Sequence, residues 1–215
     1  MKVGILGSGE VARTLGSAFV AIGNDVLLGT RHPGRPELAA WKLRAGRKAS
    51  LGSFADAAAF GSVVVLATHG VSTLDAIRSA GVSRFDGKVV IDATNPLEFS
   101  SDGVPRLTIG LTTSNGEEIQ KALPKARVVK AFNIIGNAHM FRPNFPGGPP
   151  DMYICGNDDP AKRIVEGILH EFGWPSVIDL GGIDGSRELE SLCVLWVKSG
   201  RRLGNWNIGF KLLRK

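Results

Sequence analysis

The residues of this chain best placed to do chemistry are suited to holding a phosphorylated dinucleotide rather than to attacking a bond. Gly7-Ser8-Gly9-Glu10-Val11-Ala12 has the G-x-G-x-x-A spacing of a dinucleotide-binding turn. In such a turn Gly7 permits the tight reversal and Gly9 lets the backbone approach a pyrophosphate. Ala12 lets the following helix pack closely on the strand, and the helix amino terminus offers free N–H groups to the phosphates. The second cluster is Thr30, Arg31 and, four residues on, Arg35. An NAD site ends its second strand in Asp or Glu, which holds the ribose 2′-hydroxyl. Two guanidiniums and a hydroxyl suit a 2′-phosphate instead, which Arg can grip bidentately. The reading is NADP rather than NAD.

A glycine fingerprint means little unless the elements around it are right. Here an apolar strand precedes it, an amphipathic helix to about residue 22 follows it, and a second strand delivers Thr30-Arg31 to its carboxyl end. Further along, β-rich apolar runs predict strands at 2–7, 25–30, 49–52, 62–68, 88–93, 127–132, 151–156 and 176–180. Helices are expected at 10–22, 36–45, 53–59, 71–79, 115–123, 159–172 and 184–199, with Ser53 and Asp158 as caps. Runs such as Ser62-Val63-Val64-Val65-Leu66-Ala67 are apolar on both faces, as parallel strands are. The alternation predicts an α/β fold: a doubly wound, mostly parallel Rossmann-type sheet with a small carboxyl-terminal α/β extension. The expected boundary separates an NADP-binding domain, 1–150, from an extension, 151–215, packed on it; the two can equally be counted as one. Residues 142–150, rich in Pro and Gly, are expected to form a surface loop, either a lid or a plain connector.

In a doubly wound sheet, ligands lie beyond the carboxyl ends of the strands. Those ends read Gly7-Ser8-Gly9, Thr30-Arg31, Ala67-Thr68-His69-Gly70, Ala93-Thr94-Asn95-Pro96 and Asn133-Ile134-Ile135-Gly136-Asn137. The set is small and polar and holds no nucleophile–base pair. Asp92 falls inside a strand and reads as structural. His69 is either a contact on the nicotinamide side or a turn residue. No catalytic side chain is therefore expected. Hydride transfer between two redox cofactors requires two rings stacked closely with water excluded, not a protein nucleophile. A Tyr-x-x-x-Lys pair is missing, since the single tyrosine, Tyr153, has Asn157 four residues on.

Composition narrows the partners. At 215 residues and a formal charge of +6, the chain is an ordinary globular protein that favours anions. No dense basic tract or aromatic–basic stripe suggests nucleic acid, although six basic residues (Lys198, Arg201, Arg202, Lys211, Arg214 and Lys215) crowd the carboxyl terminus. No apolar run reaches the roughly 18–20 residues of a membrane span. The four histidines are scattered without metal-ligand spacing, so no metal is expected, and Cys155 and Cys193 sit in apolar contexts as buried thiols. A cytoplasmic location follows as the default.

With these residues assembled, the chain resembles the coenzyme F-420-dependent NADP oxidoreductases nearly end to end. The likeness runs through the Gly7–Val11 turn, Gly29-Thr30-Arg31 with Arg35, Val128-Val129-Lys130-Ala131-Phe132-Asn133 and Ile154-Cys155-Gly156-Asn157-Asp158-Asp159. It continues in Ile178-Asp179-Leu180-Gly181-Gly182, Ser186-Arg187-Glu188-Leu189-Glu190-Ser191-Leu192 and Gly204-Asn205-Trp206-Asn207-Ile208-Gly209-Phe210-Lys211. More distantly, the arrangement is similar to the reductase domains of six-transmembrane metalloreductases. The resemblance implies NADPH over the strand ends with a deazaflavin stacked on its nicotinamide. It implies that Ser8 to Val11 hold the pyrophosphate and that Thr30, Arg31 and Arg35 hold the 2′-phosphate. Ala67, Thr68, His69, Asn95 and Asn137 would border the nicotinamide, while Asn133, Ile135 and the 204–210 tail shape the second pocket. Two departures bear on the acceptor: Asn133-Ile134-Ile135-Gly136 where family members often have His-Thr-Ile-Pro, and Thr68-His69 where they often have Pro. The acceptor is then coenzyme F-420, FMN or another small molecule.

A homodimer through the carboxyl-terminal helix and tail is expected, and the tail aromatics Trp206 and Phe210 either dock that tail or stack on a flavin. Two other functions remain open at this level. One is an NADPH-dependent reductase of a small carbonyl or imine; the other is a non-enzymatic NADPH-binding redox sensor.

Overall fold

The computed structural model describes residues 1–213. Arg214 and Lys215, two of the six terminal basic residues, lie outside the described residues. Alternating strands and helices build one layered α/β body. In chain order they are β1 (Lys2–Leu6), α1 (Glu10–Ala21), β2 (Asp25–Gly29), α2 (Pro36–Ala45), β3 (Ala49–Gly52), α3 (Phe54–Phe60), β4 (Val63–Leu66), α4 (Thr73–Ala80) and β5 (Val89–Asp92). A small hairpin follows, β6 (Leu97–Phe99) and β7 (Pro105–Leu107), then α5 (Asn115–Ala122) and β8 (Arg127–Lys130). The chain ends with β9 (Met152–Gly156), α6 (Asp159–Glu171), β10 (Val177–Asp179) and α7 (Ser186–Leu203).

The main sheet has eight strands in the order β10-β9-β8-β5-β4-β1-β2-β3. Every neighbouring pair is parallel except β8 with β9, which is antiparallel. The doubly wound, mostly parallel expectation therefore holds. The order turns back between β1 and β4, whose carboxyl ends open the crevice where such sheets take ligands. The period-two alternation of each strand divides its apolar residues between two cores. Val3, Ile5, Val63, Val65, Val89 and Ile91 face α1 and α6, while Leu6, Val64, Leu66, Val90 and Val128 face α3, α4 and α5. Burial of both faces is why these strands read as unbroken apolar runs.

Both expected caps form. Ser53 and Asp56 make a reciprocal capping box at α3, and the Asp158 side chain accepts the Ala161 N–H at α6. The hairpin of β6 and β7 was not expected. Its strands are three residues long, one preceded by Pro96 and the other beginning at Pro105, too short to show alternation, and its one sequence signal is Asp102-Gly103, where Gly103 takes φ +75°. Residues 142–150 contain no regular element and are tied to the body at both ends, through the Arg142 N–H to Phe172 and the Pro149 carbonyl to Lys211. The tail after α7 folds back on the same surface. Trp196 donates to the Ile208 carbonyl, the Asp151 N–H donates to the Phe210 carbonyl, and Trp206 lies 5.4 Å from Trp196 between ring centres. These contacts dock the tail aromatics onto the body.

Candidate functional site

The crevice begins at the β1–α1 turn. Gly7 has φ +138°, which a side chain would strain, and a Cβ there would lie 2.7 Å from the Ala67 carbonyl carbon and closer still to its oxygen. This glycine lets the turn pass under the end of β4. Gly9 is different: a Cβ built on it meets nothing within 4 Å, because the residue faces the open cleft at the start of α1. Ala12 is fully buried beneath the turn, where its methyl would stand 3.4 Å from a Cβ on Gly7. The turn is thus shaped from below by packing and left free above.

Ser8, Gly9, Thr30, Arg31, Arg35, Phe54, Ala67, Thr68 and His69 line one cleft of about 800 Å³, together with residues of α4. Thr30 is nearly buried. Its hydroxyl lies 3.1 Å from that of Ser8 and accepts the His32 N–H, which fixes the carboxyl end of β2 against the glycine turn. Arg31 is exposed and has no carboxylate partner among the described residues. Arg35, the residue before α2, forms an ion pair with Glu37. On the other wall the Thr68 hydroxyl meets that of Thr73 at 2.9 Å, and His69 stands exposed at the head of the 70–72 turn. A dinucleotide needs a phosphate cradle without a side chain in the way and cations at the adenosine ribose. This cleft has an unobstructed backbone at Gly9 and two cationic side chains, Arg31 and Arg35, in its lining.

The remaining expected residues lie elsewhere. Val11 and Ala12 sit behind the turn within or against the core. Glu10 and Asn137 line a second, more open groove with Arg13, Trp41, Arg44 and Phe141, on the α1 side of the turn. Asn95 and Asn133 are bound to one another. The Asn95 amide donates to the Asn133 backbone carbonyl at 2.8 Å, and the Asn133 amide donates to Asn95 Oδ1 at 2.9 Å and to the Leu189 carbonyl. The Asn133 side-chain oxygen is buried without a hydrogen-bond partner. Ile135 is buried beneath Gly209 of the tail. Phe132, just before this segment, is fully buried yet has φ +66°, a conformation that costs a bulky residue roughly 1–3 kcal/mol. That turn is what swings Asn133 toward Asn95.

Under the ends of β5 and β8 lies a polar cluster that composition did not reveal. Lys130 is fully buried and contacts Asp92 at 2.7 Å, Glu190 of α7 at 2.9 Å and the Thr94 carbonyl at 2.9 Å. Burial opposes its charge, but the two carboxylates outweigh that and hold the ammonium above its ordinary pKa. Glu190 also accepts the N–H groups of Asn115 and Gly116, so the excess negative charge sits at the amino end of α5, where the helix dipole favours it. Asp92 is structural, as its place inside a strand implies. Lys130 stood in the Val128–Asn133 motif, but no local pattern links it to a glutamate sixty residues on.

Cys155 and Cys193 are both free and buried, and burial raises their thiols to about 11 and about 12, which keeps them protonated. Among the described residues no helix is long and apolar enough to cross a membrane, and no group of three His, Cys, Asp or Glu is placed to hold a metal.

The sheet is of the Rossmann type, with the cleft at the carboxyl ends of its strands, and comparison with known proteins gives the class of protein. Residues 2–96 match the family described as NADP oxidoreductase, coenzyme F420-dependent. The F420-dependent NADP reductase of Methanocaldococcus jannaschii is 30% identical over 206 residues, covering 92% of this chain and 91% of that protein. A crystal structure from Arthrobacter sp. FB24, of a protein provisionally named F420-dependent NADP-reductase, superimposes over the full length of both chains with TM-score 0.95 and 37% identity. The rat metalloreductase STEAP3 is 29% identical over 96% of this chain, which spans only 38% of that longer protein. The chain belongs to the F420-dependent NADP oxidoreductase family. It is an NADP-dependent oxidoreductase.

Proposed function

We propose that this protein transfers a hydride between NADP(H) and a deazaflavin, coenzyme F-420, or a flavin such as FMN. The observation that carries the reading is the cleft itself. Gly9 opens onto it without a side chain, Thr30 and two arginines stand at its β2 end, and Ala67, Thr68 and His69 form its β4 wall. NADPH, when bound, supplies the hydride. The chain's own residues then have positional tasks. The Ser8–Val11 backbone and the amino end of α1 hold the pyrophosphate. Thr30, Arg31 and Arg35 take the 2′-phosphate, and Ala67, Thr68 and His69 border the nicotinamide ribose. Asn95 and Asn137 border the nicotinamide as well, while Asn133, held to Asn95 by their amide hydrogen bonds, shapes the acceptor side with Ile135 and the docked tail. The buried Lys130 cluster keeps the ends of β5 and β8 fixed at that side, which favours close stacking of two rings.

The same proposal includes a homodimer in the cytoplasm. Leu195 and Leu203 leave the outer face of α7 about half and two-thirds exposed, beside the half-exposed Trp206, an apolar surface suited to a second copy. Sedimentation at micromolar concentration reads this directly.

Stopped-flow oxidation of NADPH by coenzyme F-420, FMN and riboflavin tests the reaction. A fast phase with F-420 or a flavin is expected. Flat traces with all three, alongside tight NADPH binding, would replace the reading with that of a redox sensor.

A further inference from the structure

We infer that Glu37 sets the grip of the cationic clamp by competing with the nucleotide's 2′-phosphate for Arg35, an inference that rests on the cofactor reading above. Of the two clamp arginines, Arg31 has no carboxylate partner among the described residues, whereas Arg35 is paired with Glu37. The competition is built in by sequence. Arg35 is the residue before α2, Pro36 fixes the first helical position, and Glu37 follows in the first turn, where the helix amino end favours a negative charge. The Glu37 carboxyl lies below its ordinary range, chiefly through its hydrogen bond to its own backbone N–H and further through Arg35 and Arg13, so at neutral pH it is an anion.

Both side chains are well exposed, 48% for Arg35 and 41% for Glu37, so the pair is loose enough for a phosphate to displace. A nucleotide with a 2′-phosphate must draw Arg35 away from Glu37 and place a second anion close to it. A nucleotide with a free 2′-hydroxyl makes no such demand. Glu37 therefore weakens phosphorylated nucleotides selectively, which suits a cofactor that has to leave after each turnover.

Calorimetry with adenosine 2′,5′-bisphosphate and with AMP separates this from the cofactor assignment, because neither probe requires an acceptor. Glu37→Gln is expected to bind the bisphosphate about three- to fivefold more tightly and AMP unchanged, with the gain shrinking at about 1 M salt. Unchanged or weaker bisphosphate binding in Glu37→Gln overturns the inference, and weaker binding would mean that the carboxylate orients Arg35 instead. A paired Arg31→Ala/Arg35→Ala variant that keeps full bisphosphate affinity would bring down the clamp assignment itself. If that variant weakens while Glu37→Gln does not tighten, only the role of Glu37 fails.

Discussion

Glu190, on the long carboxyl-terminal helix α7, lies 2.9 Å from the ammonium of Lys130 at the end of β8, and neither side chain has appreciable contact with solvent. A buried charge left without its partner costs far more than the pair contributes. Lys130→Met strands two carboxylates, Asp92 and Glu190, in the interior, and unfolding in urea should show a loss of about 3–5 kcal/mol. The triple variant Lys130→Met, Asp92→Asn, Glu190→Gln removes all three charges together and should recover a good part of that loss. A single variant as stable as the parent would show that the cluster does not tie α7 to the sheet.

Gly7 and Gly9 belong to one motif yet are constrained by different neighbours, and alanine should tell them apart. Gly7→Ala drives a methyl against the Ala67 carbonyl at a positive φ, so it should lower the melting temperature and weaken NADPH together. Gly9→Ala meets no protein atom within 4 Å. It should fold with unchanged stability and still lose NADPH affinity by tenfold or more, because the methyl projects into the phosphate cradle. Undiminished binding in Gly9→Ala would remove the pyrophosphate from this turn.

How far these features were legible depends on whether their cause is local. The glycine turn, the caps at Ser53 and Asp158 and the strand runs follow from spacing along one stretch of chain, and each stands close to where the sequence puts it. The hairpin at 97–107 was missed because its short strands bury little and carry no alternation. The Asn95–Asn133 pair is different again: both residues could be named from strand ends, but their mutual bonding depends on the strained Phe132, whose conformation no propensity indicates. Lys130, Asp92 and Glu190 meet only because β5, β8 and α7 converge. A charged residue inside an apolar strand is the one trace the cluster leaves in the sequence, and Asp92 and Lys130 both show it.

The two guanidiniums at the end of β2 should discriminate between the nicotinamide nucleotides. Losing a charge-assisted contact to a phosphate costs on the order of 1.5–3 kcal/mol. Arg31→Ala and Arg35→Ala should therefore each weaken NADPH by about one to two orders of magnitude in a fluorescence titration, with NADH nearly unaffected. Equal weakening of both nucleotides would locate the 2′-phosphate elsewhere.

A second tie between α5 and α7 predicts how stability responds to acid. Arg187 donates through Nε to Glu117 at 2.8 Å, and this hydrogen bond is the largest reason the Glu117 carboxyl lies below its ordinary value, with Ser114 adding to it. A carboxylate whose pKa is depressed on folding contributes stability that is fully present above the unfolded value, near 4.5, and is lost as pH falls through the lower folded value. Chemical denaturation between pH 7 and pH 3 should show stability falling below about pH 4.5, in part because protonated Glu117 releases Arg187. Glu117→Gln should start lower at pH 7 and fall less steeply below that point. Because Glu117 is largely buried and Arg187 only partly exposed, the difference should survive moderate salt, whereas the exposed pair Arg78–Asp75 should contribute nothing measurable to stability. Parallel pH profiles for the parent and Glu117→Gln would mean that this ion pair does not help hold α7 against α5.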